Sequence, residues 1–282
     1  MQPKLNLYIN IGGTSRSGST LLGKILSNDV KGLYTGEMQA IFYPKRIHHY
    51  EVIKEVKSKE NEWNSILQSG FEHLPSSIFN CFKGVKFIVD SSKNSFWITK
   101  LVTNCKIQSI KHKNVLIYKD PKDFAYSILK RGEDNWEQQY INYHKKYFSN
   151  ITDFYVISFT SFVKDKKTLL LLCKWLGISY SDSKYNYRDN IHQGFFGSNT
   201  PKTKKNIEFK STIPKEYIKV IEKGISSHSE ITKIWNFLRE NENKVVNISS
   251  IRFNKIHLFL LKYKNKLKTI YRKIDPENYF KK

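Results

Sequence analysis

The sequence predicts an α/β fold in three layers, a central parallel sheet with helices on both faces. Three observations predict it. Short apolar runs alternate with helix-forming stretches through the first 180 or so positions of the 282-residue chain. A glycine-rich turn, Gly12 to Gly18, separates the first apolar run from the first helical pattern. Residues of strong chemistry, Arg16, Asp90 to Lys93 and Lys119, follow directly on apolar runs. That is where ligands of parallel α/β sheets bind, beyond the carboxyl ends of the strands.

Each element has its own reason. Leu5 to Ile11 is an apolar run of strand length, and a helical pattern starts near Ser19. Residues 47 to 82 read as mostly helical and suit a substrate-side insertion. Lys86 to Val89 reads as a buried strand ending at Asp90. Asn94 or Ser95 can cap the helix that follows, which runs to about Thr103. Val115 to Tyr118 is a third strand, and Pro121 suits the first turn of the next helix, through about Lys130. Phe154 to Ile157 is a fourth strand, and Thr168 to Leu176 is a helix stopped by Gly177. The polar stretch from Lys184 to Thr212, with Gly194, Gly197 and Pro201, reads as a long functional loop.

The glycine-rich turn carries the first chemical signal. Backbone N–H groups at a strand-to-helix turn converge on one point, and the helix dipole favours an anion there. Gly13 and Gly18 have the end-to-end spacing of a nucleotide P-loop, so the fold is expected to be of the P-loop type. A nucleoside-triphosphate loop would next carry lysine. Ser19 stands there instead, and Arg16 lies within the loop. The anion site is kept without the lysine that holds a γ-phosphate, which points to a phosphate-like donor other than ATP.

Composition narrows the classes. Aromatic content of 14%, with 17 Tyr and 18 Phe, argues against disorder. The net charge of +23 calls for an anionic partner: nucleotide, nucleic acid, membrane surface or acidic glycan. No recognition helix, zinc spacing or RNA-binding signature supports a nucleic-acid binder. Cys81, Cys105 and Cys173 lack metal or disulfide spacing and read as free thiols in a reducing compartment. The first strand starts close to Met1, no apolar run of about 18 residues is seen, and a cytoplasmic location is expected.

Four separated motifs then resemble one family. Arg16-Ser17-Gly18-Ser19-Thr20-Leu21, Gly36-Glu37, Asp90-Ser91-Ser92-Lys93 and the stretch from Tyr118 to Ser127 occur in that order. They resemble sulfotransferases that use 3′-phosphoadenosine 5′-phosphosulfate (PAPS), in the bacterial carbohydrate and tyrosyl-protein branch. The resemblance implies that Arg16, Ser17, Gly18, Ser19 and Thr20 cradle the 5′-phosphosulfate. It implies that Glu37 is the general base and that Lys93 contacts the transferring sulfuryl group, with Arg16 at the same centre. Lys119, Ser127 and Arg131 would bind the 3′-phosphate. PAPS would be the co-substrate, with no metal required.

The chemistry suits those residue types. In-line sulfuryl transfer needs electrostatic support for the equatorial oxygens and for charge building on the leaving phosphate. The acceptor hydroxyl needs a base, and His48 and His49 are rivals to Glu37 for that role. Ser127 and Arg131, four residues apart, share one helix face. Two departures stand out. Lys119 replaces the family's arginine and gives up bidentate phosphate geometry. Phe159-Thr160-Ser161-Phe162 replaces an element that carries a tyrosine and two carboxylates.

The expected reaction moves a sulfuryl group from PAPS to a hydroxyl of a glycan, glycolipid or related acceptor. A tyrosyl peptide acceptor, a P-loop kinase and a basic nucleic-acid-binding protein are the alternatives. The expected domain spans residues 1–245, followed by a basic tail, 246–282. In that tail Phe253, Ile256, Leu260, Tyr263, Leu267, Ile270 and Ile274 form one apolar helical stripe among lysines. Such a helix suits an anionic membrane surface, docking on the domain, or a homodimer contact.

Overall fold

A computed structural model describes residues 6–187, 194–197 and 212–248. Six strands form one sheet in the order β2-β3-β1-β4-β5-β6. They are β1 (Leu7–Gly12), β2 (Gly32–Gly36), β3 (Phe87–Lys93), β4 (Lys111–Tyr118), β5 (Asp153–Ser158) and β6 (Val245–Asn247). The first five run parallel, and β6 closes the edge antiparallel to β5.

The three-layer α/β fold expected from the sequence is present. Side chains of the central strands alternate between two buried clusters, so both faces of the sheet are covered. Leu7, Ile9 and Ile11 of β1 share one cluster with Val115, Ile117 and Ile157. Helices α1 (Ser19–Ser27) and α10 (Lys166–Leu176) pack into that cluster through Leu22, Ile25, Leu169 and Leu172. Tyr8, Ile88, Leu116 and Val156 face the other way. There they meet α6 (Ser95–Ile107), α7 (Pro121–Leu129), α8 (Trp136–Asn150), α11 (Lys215–Ser227) and α12 (Ser229–Glu240).

The insertion between β2 and β3 is helical, as expected. It holds α2 (Gln39–Phe42), α3 (Ile47–Lys57), α4 (Glu62–Gln68) and α5 (Leu74–Cys81). The remaining short helix, α9 (Phe159–Lys164), follows β5 directly. Asn94 caps α6 through bonds from the Phe96 and Trp97 amides, and Gly177 ends α10 at φ 77°. Cys105 and Cys173 are buried, Cys81 is half-buried, and all three are free.

Several details differ from the sequence reading. β3 runs on to Lys93 instead of stopping at Asp90, because the register with β1 slips between Asn10 and Gly12 and brings Lys93 opposite Gly12. β4 starts at Lys111, where polar residues sit at an exposed strand end. Strand β2 and helix α8 were not anticipated at all. The sheet is not wholly parallel, since a turn after α12 returns the chain beside β5. β6 crosses position 245, so the sheet includes the first residues beyond it. The apolar stripe from Phe253 to Ile274, and most of the loop from Lys184 to Thr212, lie outside the described residues. No helix among the described residues is long and apolar enough to cross a membrane.

Candidate active site

The site is assembled from the carboxyl ends of β1, β2, β3 and β4. After β1 the chain turns through Gly13 at φ 154° and Arg16 at φ 65°, and enters α1 from Gly18 at φ 94°. Gly18 supplies no side-chain cap, and the first turn of α1 has no acidic residue. The positive end of the helix is therefore left for an external anion. The Ser17 hydroxyl is buried in this loop without a hydrogen-bond partner, an orphan that a bound anion would satisfy.

β2 and β3 are neighbours, so Glu37, just past the end of β2, stands beside Lys93, the last residue of β3. The Lys93 ammonium forms an ion pair with the Glu37 carboxylate and donates to the Ser91 carbonyl at 3.2 Å. Lys93 holds φ 64°, a left-handed conformation that a lysine adopts only when its surroundings impose it. Those surroundings are dense. The buried Asp90 carboxylate accepts from the Ser92 amide (2.7 Å), the Ser92 hydroxyl (2.5 Å) and the Trp97 indole (2.8 Å). Burial pushes the Asp90 carboxyl above its ordinary range, against these bonds. The Ser91 hydroxyl donates to Gly36 O at 3.2 Å and meets the Tyr34 hydroxyl at 2.7 Å, joining β3 to the residue before Glu37.

A second set lies on the other side of the loop. Arg16, Lys119 and Arg131 come from three separate segments, and Arg16 lies within electrostatic reach of each of the other two. Burial lowers the Arg16 guanidinium, and the charge of Arg131 lowers it further. Burial pulls the Lys119 ammonium down to about 8; Asp123 opposes this, while Arg16 and Lys130 add to it. Cations near enough to repel one another have the charge that a multiply charged anion would neutralise. Phe159, at the start of α9, lies beside Lys119 and the loop. Its ring lies 4.8 Å from the Lys119 ammonium and against Gly18, where a Cβ would overlap it.

The sequence-derived residues therefore fall into two neighbouring groups. Glu37 and Lys93 make one, and Arg16, Lys119 and Arg131 the other, with Ser17, Gly18, Ser19 and Thr20 in the loop and the first turn of α1. Ser127 is on the expected helix, but its hydroxyl donates to the Phe124 carbonyl at 2.7 Å within it, and Arg131 does not share its helix face as expected, because α7 ends at Leu129 and Arg131 lies in the turn beyond. His48 and His49 pack on Phe196, with ring centroids 5.7 and 4.6 Å away. Phe195 pairs with the edge of β2, its amide donating to Thr35 O (3.0 Å) and its carbonyl accepting from the Glu37 amide (2.7 Å). The two histidines thus stand beside the segment that holds Glu37.

Two solved structures share this arrangement of sheet and helices at low sequence identity. One is the sulfotransferase domain from the Synechococcus PCC 7002 olefin synthase, with a TM-score of 0.50 and 12% identity. The match covers 77% of this chain and 93% of that one. The other is the sulfotransferase domain from the curacin biosynthetic pathway, with a TM-score of 0.50 and 14% identity over 78% of this chain and 96% of that one. The chain has the fold of a sulfotransferase domain. No family model matches the sequence, and no curated protein matches it. In the sulfotransferase fold seen here, the loop after β1 and the ends of β2, β3 and β4 form one continuous rim.

Sequence reasoning missed three contributors to that rim. Phe195 carries no polar group and gave no motif, and Phe159 stood only as a departure from a family element, with no place at the rim. Tyr143, on α8, accepts from the Gly13 amide at 2.5 Å and donates to Lys93 O at 2.8 Å. The signal that would have found its helix is the aromatic stripe Trp136, Tyr140, His144 and Tyr147, at helical spacing and all buried. Among the described residues, no cluster of three or more His, Cys, Asp or Glu side chains is placed to hold a metal.

Proposed function

We propose that the protein is a PAPS-dependent sulfotransferase acting on a hydroxyl of a glycan, glycolipid or related acceptor. The observation that carries this reading is the gathering of Arg16, Lys119 and Arg131 beside an anion-binding loop that lacks the ATP lysine. A 5′-phosphosulfate needs the loop. A separate 3′-phosphate needs a second cationic site, and the trio supplies one. The donor set and the orphaned Ser17 hydroxyl both fit such a co-substrate.

In the reaction, the acceptor oxygen forms a bond to sulfur as the bond from sulfur to the 5′-phosphate oxygen breaks. The acceptor proton passes to the Glu37 carboxylate. Adenosine 3′,5′-bisphosphate leaves with the bonding electron pair, and the Lys93 ammonium offsets the charge that builds there. The loop and the α1 dipole steady the sulfuryl oxygens. The Glu37–Lys93 ion pair keeps the two groups at one place, so base and charge-offsetting cation serve the same centre.

The acceptor reading draws on the rim beyond Glu37 and Lys93. Tyr43 and Phe96 are both exposed, and the Lys100 ammonium lies 5.4 Å from one ring and 4.9 Å from the other. Flat aromatic faces beside a hydrogen-bond donor suit a sugar ring. The cytoplasmic location and a membrane-facing role for the tail remain part of the proposal on sequence grounds.

Calorimetric titration with adenosine 3′,5′-bisphosphate, beside ATP with magnesium, tests the reading. Metal-independent binding of the bisphosphate, lost when its 3′-phosphate is removed, is the expected result. Preference for ATP with magnesium would overturn it in favour of a kinase. Binding of neither would leave a basic binding module.

A further inference from the structure

We propose that Tyr143 is a positioning residue for Lys93, its hydroxyl tying the first amide of the anion loop to the strand end that carries the ammonium. The inference rests on the sulfotransferase reading of the site. One phenol uses both of its hydrogen-bonding capacities here. It accepts from the Gly13 N–H at 2.5 Å and donates to the Lys93 C=O at 2.8 Å. These two residues lie at the point where the β1–β3 register slips, with Gly12 opposite Lys93. The β1–β3 ladder resumes past the slip with Gly12–Lys93 as its last pair, so a contact from beyond the ladder can hold Lys93 at φ 64° there. The phenol does so from a third element.

The support behind Tyr143 is rigid. Its ring stacks on Tyr147, one turn further along α8, at 6.1 Å between centroids. The Tyr147 ring in turn lies on Gly12, where a Cβ would overlap it. One face of α8 thereby grips the end of β1 and the start of the loop. Burial pushes the Tyr143 phenol above its ordinary range, so it keeps the proton that it donates to Lys93 O. Asp90, Ser91 and Ser92 fix the turn from within β3, whereas Tyr143 fixes it relative to the loop. A donor seated in the loop and an ammonium carried by Lys93 are thus held in one frame.

A double-mutant cycle on the full chain separates positioning from mere packing. The readouts are sulfuryl transfer from PAPS to p-nitrophenol, bisphosphate release from PAPS to water, and calorimetric affinity for adenosine 3′,5′-bisphosphate. Tyr143→Phe keeps the ring and removes both bonds. The rate is expected to fall about 10- to 100-fold, with bisphosphate affinity changed by less than about threefold. In a Lys93→Ala background the same change is expected to cost no further rate, because Tyr143 acts through Lys93. An additive loss in that background, or an equal loss of bisphosphate affinity, would overturn the proposal while leaving the sulfotransferase reading intact. Failure of the unsubstituted protein to bind bisphosphate or PAPS would overturn both. Should Tyr143→Phe not fold, amide exchange in the native protein decides: a Gly13 amide exchanging as fast as that of exposed Ser15 would show that the bond is absent.

Discussion

Lys93 and Glu37, 56 residues apart in the chain, meet as an ion pair across the carboxyl ends of two adjacent parallel strands. Each is partly exposed, so the pair adds little to stability. Its consequence is orientation. A carboxylate and an ammonium share one position at the rim; under the proposed function the first takes the acceptor proton and the second faces the leaving oxygen.

The pair predicts separable losses. Lys93→Ala should lower turnover by about 10²–10³-fold, the scale of removing one charge-stabilising donor. Glu37→Gln should lower it by about 10²–10⁴-fold, the scale of general base catalysis. Both variants should keep most of their affinity for adenosine 3′,5′-bisphosphate. Steady-state rates beside calorimetry check this; full activity in Glu37→Gln would move the base role to His48 or His49.

The cation trio predicts selectivity for the 3′-phosphate. Arg131→Ala should weaken nucleotides that carry a 3′-phosphate by about tenfold or more, the worth of a charge-assisted hydrogen bond of roughly 1.5–3 kcal/mol. Nucleotides without that group should be nearly unaffected. Ser127→Ala should have the smaller effect, because the hydroxyl is already donated to Phe124 O. Competition titrations with adenosine 5′-phosphate and the 3′,5′-bisphosphate measure the difference.

Lys119 predicts a pH dependence. In the free protein its ammonium loses its proton around pH 8, mainly through burial. An anionic 3′-phosphate favours the protonated form, so affinity should hold below pH 8 and fall as pH rises through it. At the acid end, affinity should rise as the phosphate loses its second proton near pH ~6. Lys119→Arg should abolish the alkaline fall, because guanidinium stays charged. The unliganded protein carries the opposite linkage. Its depressed lysine means that the unfolded chain binds more protons between about pH 8 and the ordinary lysine value of 10.5, so this group makes the fold more stable as pH rises through that window. Bisphosphate titrations from pH 5 to 9.5 test the binding limb.

Gly18 predicts a local failure. Its φ of 94° and the Phe159 ring beside it exclude a side chain. Gly18→Ala should cost about 1–3 kcal/mol of stability from backbone strain. Displacement of Phe159 should disturb the adjoining Lys119 as well, so bisphosphate binding should fall further than the melting temperature implies. Gly18→Ala with Phe159→Ala should recover part of the stability, read by thermal unfolding.

The local features were legible because local physics writes them. The loop from Gly13 to Gly18, the Asn94 cap, the Pro121 start and the Gly177 stop all appear where the residues demanded them. β2 was hidden because Gly32-Leu33-Tyr34-Thr35-Gly36 is short and begins and ends with glycine. β6 was hidden because three residues in a polar surrounding become a strand only when β5 offers an edge. The motif resemblance named Glu37, Lys93, Arg16, Lys119 and Arg131 as site candidates.

By itself, then, the sequence determined the α/β class, the anion loop and the chemical kinds of group that surround it, since propensity, turn geometry and apolar alternation act over a few residues. Only the tertiary structure decided which groups meet. Strand order placed β2 beside β3 and so paired Glu37 with Lys93. It placed α8 beneath the slip in β1–β3 register, so that Tyr143 bridges Gly13 and Lys93. These contacts span 50 to 130 residues, and the burial of two packed layers, which no local pattern encodes, is what brings them together.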